Sequence, residues 1–384
     1  MTVIDSLYYA SLISALIWII ILLLPWRPWS VRESLDSDIN ISNSNLSDIT
    51  ALIPARNEAL HIATTLEALS SQGNSLKIIV INDQSSDQTA AIINKYQKQI
   101  PDLILIDGKP LPEGWSGKLW ALQQGLQHVH TDMVLLLDAD IALHDGLLAT
   151  LKHKKNSNKI QMISLMARLP MNNVWEKLLL PAFVYFFKML YPFSLTNNPR
   201  LRNIAAAAGG CILIDKKILV EIAAFDSLRQ ALIDDCTLAR KVKQQGNKIW
   251  LGLSHSLDSC RTNHSLSAIW KMVARTAFTQ LHYSWLLLFS ISSILIIVYL
   301  VPFIGLFIDG NNIRFVALLA FTIMVTCYIP TLRYYGLPPL WALLMPLIAT
   351  LFLAMTWSSA LAYARGGGSE WKQRVYTKSM KVPK

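Results

Sequence analysis

The sequence predicts an α/β fold, a mostly parallel sheet flanked by helices, with one apolar helix ahead of it and about three behind it. Three observations lead there. Between Ile49 and Leu251 short apolar runs alternate with longer mixed segments, the pattern of strands joined by crossover helices. The run Val134–Leu137 is apolar without alternation, as a strand covered on both faces would be. Hydrophobic residues make up 53% of the 384 residues, high for a soluble protein. The excess lies in residues 1–25 and in Tyr283–Ala364.

From the N-terminus, Leu7–Leu24 is an almost unbroken apolar run, long enough to be a transmembrane helix. No basic residue precedes it and no small-residue cleavage site follows, so 1–25 reads as a retained anchor rather than a removed signal peptide. Arg27 and Arg32 follow, which places the next segment in the cytoplasm. Residues 26–48 read as a linker, because Ser30–Asp48 is rich in Ser, Asn and Asp.

The globular domain is expected over 49–255. Its strands are Ile49–Ile53, Lys77–Ile81, Leu103–Ile106, Met133–Leu137, Met162–Leu165, Cys211–Ile214 and Lys248–Leu251. Its helices are Glu58–Ser70, Asp87–Gln99 with Ser86 as N-cap, Lys118–His130 and Cys236–Gln245. Trp175–Phe193 is aromatic and apolar, but holds Glu176, Lys177, Lys188 and Pro181. It reads as a helix in the membrane interface, with a core helix as the alternative. Ile269–Leu281, within an interfacial segment 256–282, is a second such helix.

Three apolar runs follow, Tyr283–Ile308, Phe315–Arg333 and Leu337–Ala364, and 283–364 reads as a membrane block. Of the formal net charge of +10, the tail 365–384 supplies +5: six Lys or Arg (365, 372, 374, 378, 381, 384) against Glu370. A basic tail beside apolar helices favours an anionic membrane surface. Without a basic stripe interleaved with aromatics, nucleic acid is not expected as a partner. Three spans after a cytoplasmic domain carry the tail outside, whereas its charge favours the inside. Both topologies stay open, one with a re-entrant run. The four cysteines lack metal-type spacing and read as free thiols of a reducing compartment.

Chemistry concentrates where strands end. In extended backbone Asp138 and Asp140 of VLLLDADI would share a face, at the strand end where open α/β sheets bind ligands. Paired carboxylates suit Mg²⁺ or Mn²⁺, and through it a diphosphate. A turn after a strand, where Asp is common, explains the stretch equally well. Asp83 follows its strand directly, while Asp87 is better explained by helix capping. GWSGKLWALQQG (Gly114–Gly125) is not a Walker loop, since Leu119 stands where Ser or Thr is required. Lys118 can contact a phosphate there, or be a solvated lysine. Gly209 and Gly210 suggest close approach of backbone to a ligand, or a bulge. Asp234 and Asp235 sit before a helix, as caps or as a general base.

Together PARNE, NDxSxDxT, GK, DAD, GG and DD resemble family 2 glycosyltransferases with the GT-A nucleotide-diphospho-sugar transferase fold. The likeness runs from Ile49 to Leu251. The anchor before the domain and the apolar block after it resemble the membrane-bound lipid enzymes. MVARTAFTQ (Met272–Gln280) and WKQRVY (Trp371–Tyr376) resemble the hopene-associated glycosyltransferases. The resemblance implies that Pro54, Ala55 and Glu58 line the nucleotide site, that Asp83 contacts the nucleobase, and that Lys118 lies near the diphosphate or sugar. Asp138 and Asp140 become the DxD pair, with Asp140 the main ligand of Mg²⁺ or Mn²⁺. Asp235 becomes the catalytic base, with Asp234 in place of the family's glutamate. Arg275 matches the arginine of the processive QxxRW motif only poorly, which favours a single transfer. The implied activity is inverting transfer from a nucleotide-diphosphate sugar, a UDP-sugar first among them, to a hydroxyl of a membrane lipid, with a hopanoid as the expected acceptor. The implied place is the cell inner membrane, multi-pass, with the catalytic domain in the cytoplasm. A polyprenyl-phosphate enzyme and a non-catalytic nucleotide-sugar-binding membrane protein remain as alternatives.

Overall fold

Strand β1 (Ile49–Ala55) has every residue buried, and the sheet grows outward from it. The structure, a computed structural model, describes residues 3–38, 41, 45–73, 75–229, 233–263, 265–365, 369–371 and 374–376. The chain divides into two compact units, one of Met1–Arg32, Met171–Ser194 and Asn263–Ser369, the other of Glu33–Pro170, Leu195–Thr262 and Glu370–Lys384.

The second unit holds the sheet. Strand β1 is followed by β2 (Lys77–Asn82), β3 (Leu103–Asp107), β4 (Met133–Leu137), β5 (Ile141–Leu143), β6 (Met162–Arg168), β7 (Cys211–Asp215) and β8 (Ile249–Ser259). Their spatial order is β3-β2-β1-β4-β7-β6-β8-β5. Strands β1 to β4 pair in parallel. Strand β7 is antiparallel to both its neighbours, and β5 is antiparallel to β8. The sheet is mixed, and because β6 and β8 are parallel as well, four of its seven pairings among the described residues are parallel, as the sequence predicts.

Two apolar cores follow from the strand period. Ala51, Ile53, Leu135 and Leu137 face one core, together with Ile62, Leu66 and Leu69 of the helix Ile62–Ser70. Leu52, Val134 and Leu136 face the other, with Leu119 and Leu122 of the helix Gly117–Leu126 and Leu238 and Val242 of the helix Asp234–Gln244. Helices cover both faces, so central strands read as unbroken apolar runs.

Several boundaries differ from expectation. Ser86 is not the cap of the helix expected over Asp87–Gln99, which runs Thr89–Gln97: its own amide donates to Asn57 Oδ1 at 2.8 Å, and Asp87 Oδ1 accepts the Thr89 amide at 3.0 Å. The linker is partly built into the sheet. Leu35 N–H donates to the Leu253 carbonyl at 2.9 Å, Leu253 N–H to Glu33 at 2.8 Å, and Leu35 packs on the first core. The helix expected from Cys236 starts at Asp234, which brings both aspartates into its first turn. Strand β8 runs far past Leu251, because its residues pair first with β6 and then with β5. All four cysteines are free.

The first unit is helical. Among the described residues, four of its helices are long and apolar enough to cross a membrane: Ile4–Leu23, Trp285–Gly305, Asn311–Tyr334 and Pro339–Ala364. The second of these, Trp285–Gly305, is interrupted by a widened π-type turn at Ile296–Leu300. Such a turn loosens the carbonyl ladder. The Val298 carbonyl there accepts from Trp18 Nε1 at 2.9 Å and Ser14 Oγ at 3.2 Å of the first helix. Trp175–Phe193 proves to be the helix Val174–Leu190, with Pro181 inside it. It is packed rather than laid open, since Glu176 and Lys188 are both buried. Glu176 accepts the amides of Asn172 and Asn263 at 2.8 and 2.6 Å. Lys188 donates to the Ser30 carbonyl and Thr331 Oγ1, each at 3.0 Å. Arg275 lies in the helix Leu266–Gln280 of this unit. Most of the basic tail, and parts of WKQRVY, lie outside the described residues.

Candidate active site

The carboxyl ends of β1, β2 and β4 lie on one edge, because the three strands are parallel. Pro54 and Ala55 end β1, buried, and Ala55 belongs to the core beneath the edge. They shape the edge through backbone: the Ala55 carbonyl accepts the Asp83 amide at 2.8 Å. Asp83 is 1% exposed. Arg56 caps it, donating to the Asp83 and Gln84 carbonyls at 2.6 and 3.1 Å.

The extended-backbone argument for the DAD stretch fails, because β4 ends at Leu137 and 138–140 turn. Ile141 N–H reaches back to the Asp138 carbonyl at 3.2 Å. The two carboxylates consequently meet different cations. Asp138 pairs with Lys118 Nζ at 2.7 Å. Asp140 accepts from Arg261 Nε at 2.6 Å, and the same guanidinium reaches both oxygens of Glu58 at 2.8 and 3.2 Å.

Around Lys118 the sequence-predicted residues gather. Ser116 caps its helix by accepting the Leu119 amide. Lys118 Nζ also lies 3.4 Å from the Gly209 carbonyl. Burial alone would depress the lysine, but the charges of Asp138, Asp234 and Asp235 more than reverse this and raise it. Burial raises the Asp138 carboxyl, and Asp140 adds to it, against the pull of Lys118. Asp235 stands in the first turn of its helix. Burial, then repulsion by Asp234, pushes its carboxyl up to about 6, against hydrogen bonds from Cys236 and Gly209 and the Lys118 charge. Gly209 permits this approach: a Cβ there would lie 3.1 Å from Asp235 Oδ2. The Asp138 amide donates to the Gly210 carbonyl at 3.0 Å, fixing the two glycines against the DAD turn.

Two groups of sequence-predicted residues thus emerge, Lys118–Asp138–Asp235 and Glu58–Asp140. The partner of the second group, Arg261, carries no motif. It follows a strand as a lone arginine in SCRTN, whereas Arg56 lies within PARNE but is not singled out there.

Residues 50–223 match the family model described as "Glycosyl transferase family 2". Curated relatives include the 4,4'-diaponeurosporenoate glycosyltransferases of two strains of Staphylococcus aureus, bovine RF122 / ET3-1 and MRSA252, each 36% identical over 100 residues. The match takes in 26% of this chain and 25% of each relative, so the chain spans about a quarter of their length. Among solved structures, the mannosyltransferase PcManGT from Pyrobaculum calidifontis, in complex with GDP-Man and Mn²⁺, superposes with a TM-score of 0.59 at 16% identity, over 92% of this chain and 99% of that one. That likeness is one of fold. Glu58, Asp83, Lys118, Asp138 and Asp140 fall inside the family 2 match, whereas Asp235 and Arg261 lie beyond it.

Proposed function

We propose that the protein is an inverting glycosyltransferase of the inner membrane, moving one sugar from a nucleoside-diphosphate donor to a hydroxyl of a membrane lipid. The observation that carries this reading is Asp235. It is a carboxylate whose affinity for a proton is raised, held against Gly209 beside the Lys118–Asp138 pair, at the edge where α/β sheets take ligands. A general base works best with a pKa near the working pH.

In this reading Lys118 places its positive charge toward the donor's diphosphate, and Asp138 orients that lysine. Arg56, Glu58 and the buried Asp83 shape the nucleotide end. Asp235 takes the proton from the acceptor oxygen as that oxygen attacks the anomeric carbon from the face opposite the leaving group. A single displacement of this kind inverts the configuration.

A divalent cation fits the residues present. Among the described residues no three His, Cys, Asp or Glu side chains gather as a ligand set. Mg²⁺ or Mn²⁺ at phosphates, however, takes only one or two carboxylates from the protein. Asp140 and Glu58 already face one cation between them, and Asp138 lies two residues before Asp140. Bound there, the ion would neutralise charge on the departing diphosphate. The PcManGT complex, with its GDP-Man and Mn²⁺, supports this choice of donor and metal.

The acceptor reading rests on the four apolar helices and on relatives named for 4,4'-diaponeurosporenoate. A hopanoid is our first choice and a UDP-sugar our first donor; a polyprenyl phosphate is the second reading for the acceptor. The test is transfer of radiolabelled sugar from UDP- and GDP-sugars to extracted membrane lipids by the detergent-solubilised protein, with mass spectrometry of the product. A glycosylated lipid of inverted anomeric configuration is expected. Failure to bind any nucleotide sugar would overturn the reading.

A further inference from the structure

We propose that Arg261 gates the Asp140–Glu58 pair: it holds both carboxylates until a nucleoside diphosphate arrives, then moves onto the diphosphate as a divalent cation takes its place. The proposal rests on the metal-dependent transfer read above, and concerns a residue beyond the matched family segment.

The arrangement is built by the sheet. Strand β5 follows the DAD turn directly, and pairs antiparallel with the end of β8, Ile141 opposite Ser259. The Cys260 amide then donates to the Asp140 carbonyl at 2.8 Å. These bonds deliver Arg261 to Asp140 and leave its own backbone outside the strand. One guanidinium spans both acids, with Nε on Asp140 and Nη2 on Glu58. Asp138 does not compete, because Lys118 holds it.

Exposure separates the partners. The Glu58 and Asp140 side chains are 8% and 14% exposed, and that of Arg261 is 43%. The acids are fixed in the protein while the cation lies toward solvent, so the arginine is the member that can leave. Both nearly buried carboxylates face the same cation, Arg261. A bare divalent ion must therefore displace the guanidinium without offering it a new partner. A diphosphate supplies that partner, since the planar fork of arginine matches phosphate oxygens as well as it matches carboxylates. Metal and nucleotide then bind with positive coupling, and coupling of this kind is reciprocal.

The experiment is Mn²⁺ binding to the full-length solubilised protein, read by the electron paramagnetic resonance signal of free Mn²⁺, alone and with saturating UDP or, in a parallel arm, GDP. Wild type should bind Mn²⁺ weakly alone and roughly tenfold or more tightly with the nucleotide that the donor contains, the scale of ordinary coupling. Arg261→Gln should bind Mn²⁺ alone about tenfold more tightly than wild type, and lose most of the nucleotide enhancement. Arg261→Lys, which keeps charge without the fork, should fall between them. Melting curves of the metal-free proteins identify a variant that has not folded, in which case Arg261→Lys decides. If Arg261→Gln binds Mn²⁺ alone no better than wild type, or keeps the full nucleotide enhancement, the gate is overturned. Absence of Mn²⁺ binding by every form overturns the gate together with the metal reading, and sugar transfer persisting in EDTA would show that the transferase reading itself survives.

Discussion

Asp234 and Asp235 are adjacent and chemically identical, yet their surroundings separate them. Only Asp235 abuts Gly209, and it carries the upward shift to about 6. Asp235→Asn keeps the shape but cannot accept a proton, and should slow turnover ~10²–10⁴-fold with donor affinity retained, as titration with the nucleotide sugar would show. Asp234→Asn should cost far less. The pH profile follows from the sign of the shift. A base must be deprotonated to work, so kcat/KM should be flat above about pH 6 and fall tenfold per unit below it. A profile still flat at pH 5 would remove Asp235 from the role. Asp140→Ala should abolish turnover and Mn²⁺ binding while leaving the fold intact, checked by activity, metal titration and circular dichroism. At this scale the motif residues stood out in sequence, because they cluster in the segments that follow strands or open helices. Arg261 did not. Its meaning depends on β5 pairing with β8, and no local pattern in SCRTN signals that pairing.

The elements were legible where the apolar run was long. Central strands β1, β2 and β4 announce themselves because burial on both faces demands unbroken apolar sequence. Strand β5 has only Ile141–Leu143, too short for any periodicity, and it is the strand that aims Arg261. The reading of DAD as extended backbone failed for a related reason: a carboxylate pair looks the same in a strand as in the turn that ends it. The widened turn at Ile296–Leu300 is equally silent in an apolar run. Its Val298 carbonyl depends on donors from another helix, Trp18 and Ser14. Trp18→Phe keeps the ring and removes the stronger of these bonds. Interhelical hydrogen bonds in membrane bundles are worth about 0.6 kcal/mol on average and up to about 1.7. The variant should lower stability by that order, measured by thermal unfolding in detergent, and sugar transfer at a permissive temperature should be nearly unchanged.

On the scale of the whole molecule, sequence separates the chain into apolar and globular parts by composition alone, and the structure finds a helical and a sheet-bearing unit. It could not show that the chain crosses between them repeatedly, with 171–194 returning to the helical unit. A short apolar helix that carries Glu176 and Lys188 looks like an interfacial segment until their buried partners are seen. Charge predicts a cytoplasmic place for the sheet-bearing unit. Arg27 and Arg32 come directly after the first apolar helix, and basic residues beside a span stay cytoplasmic. Nucleoside-diphosphate donors are made in the cytoplasm, so the proposed chemistry requires the same side. Ser157 ends the helix Leu147–Ser157 in an exposed position, far in sequence from every site residue. In Ser157→Cys, an impermeant maleimide should label inside-out vesicles and spare intact cells, with the wild-type protein as background, since its own cysteines are buried or partly buried. Labelling in intact cells would place the candidate site outside, away from its donor, and would leave the transferase reading without a substrate.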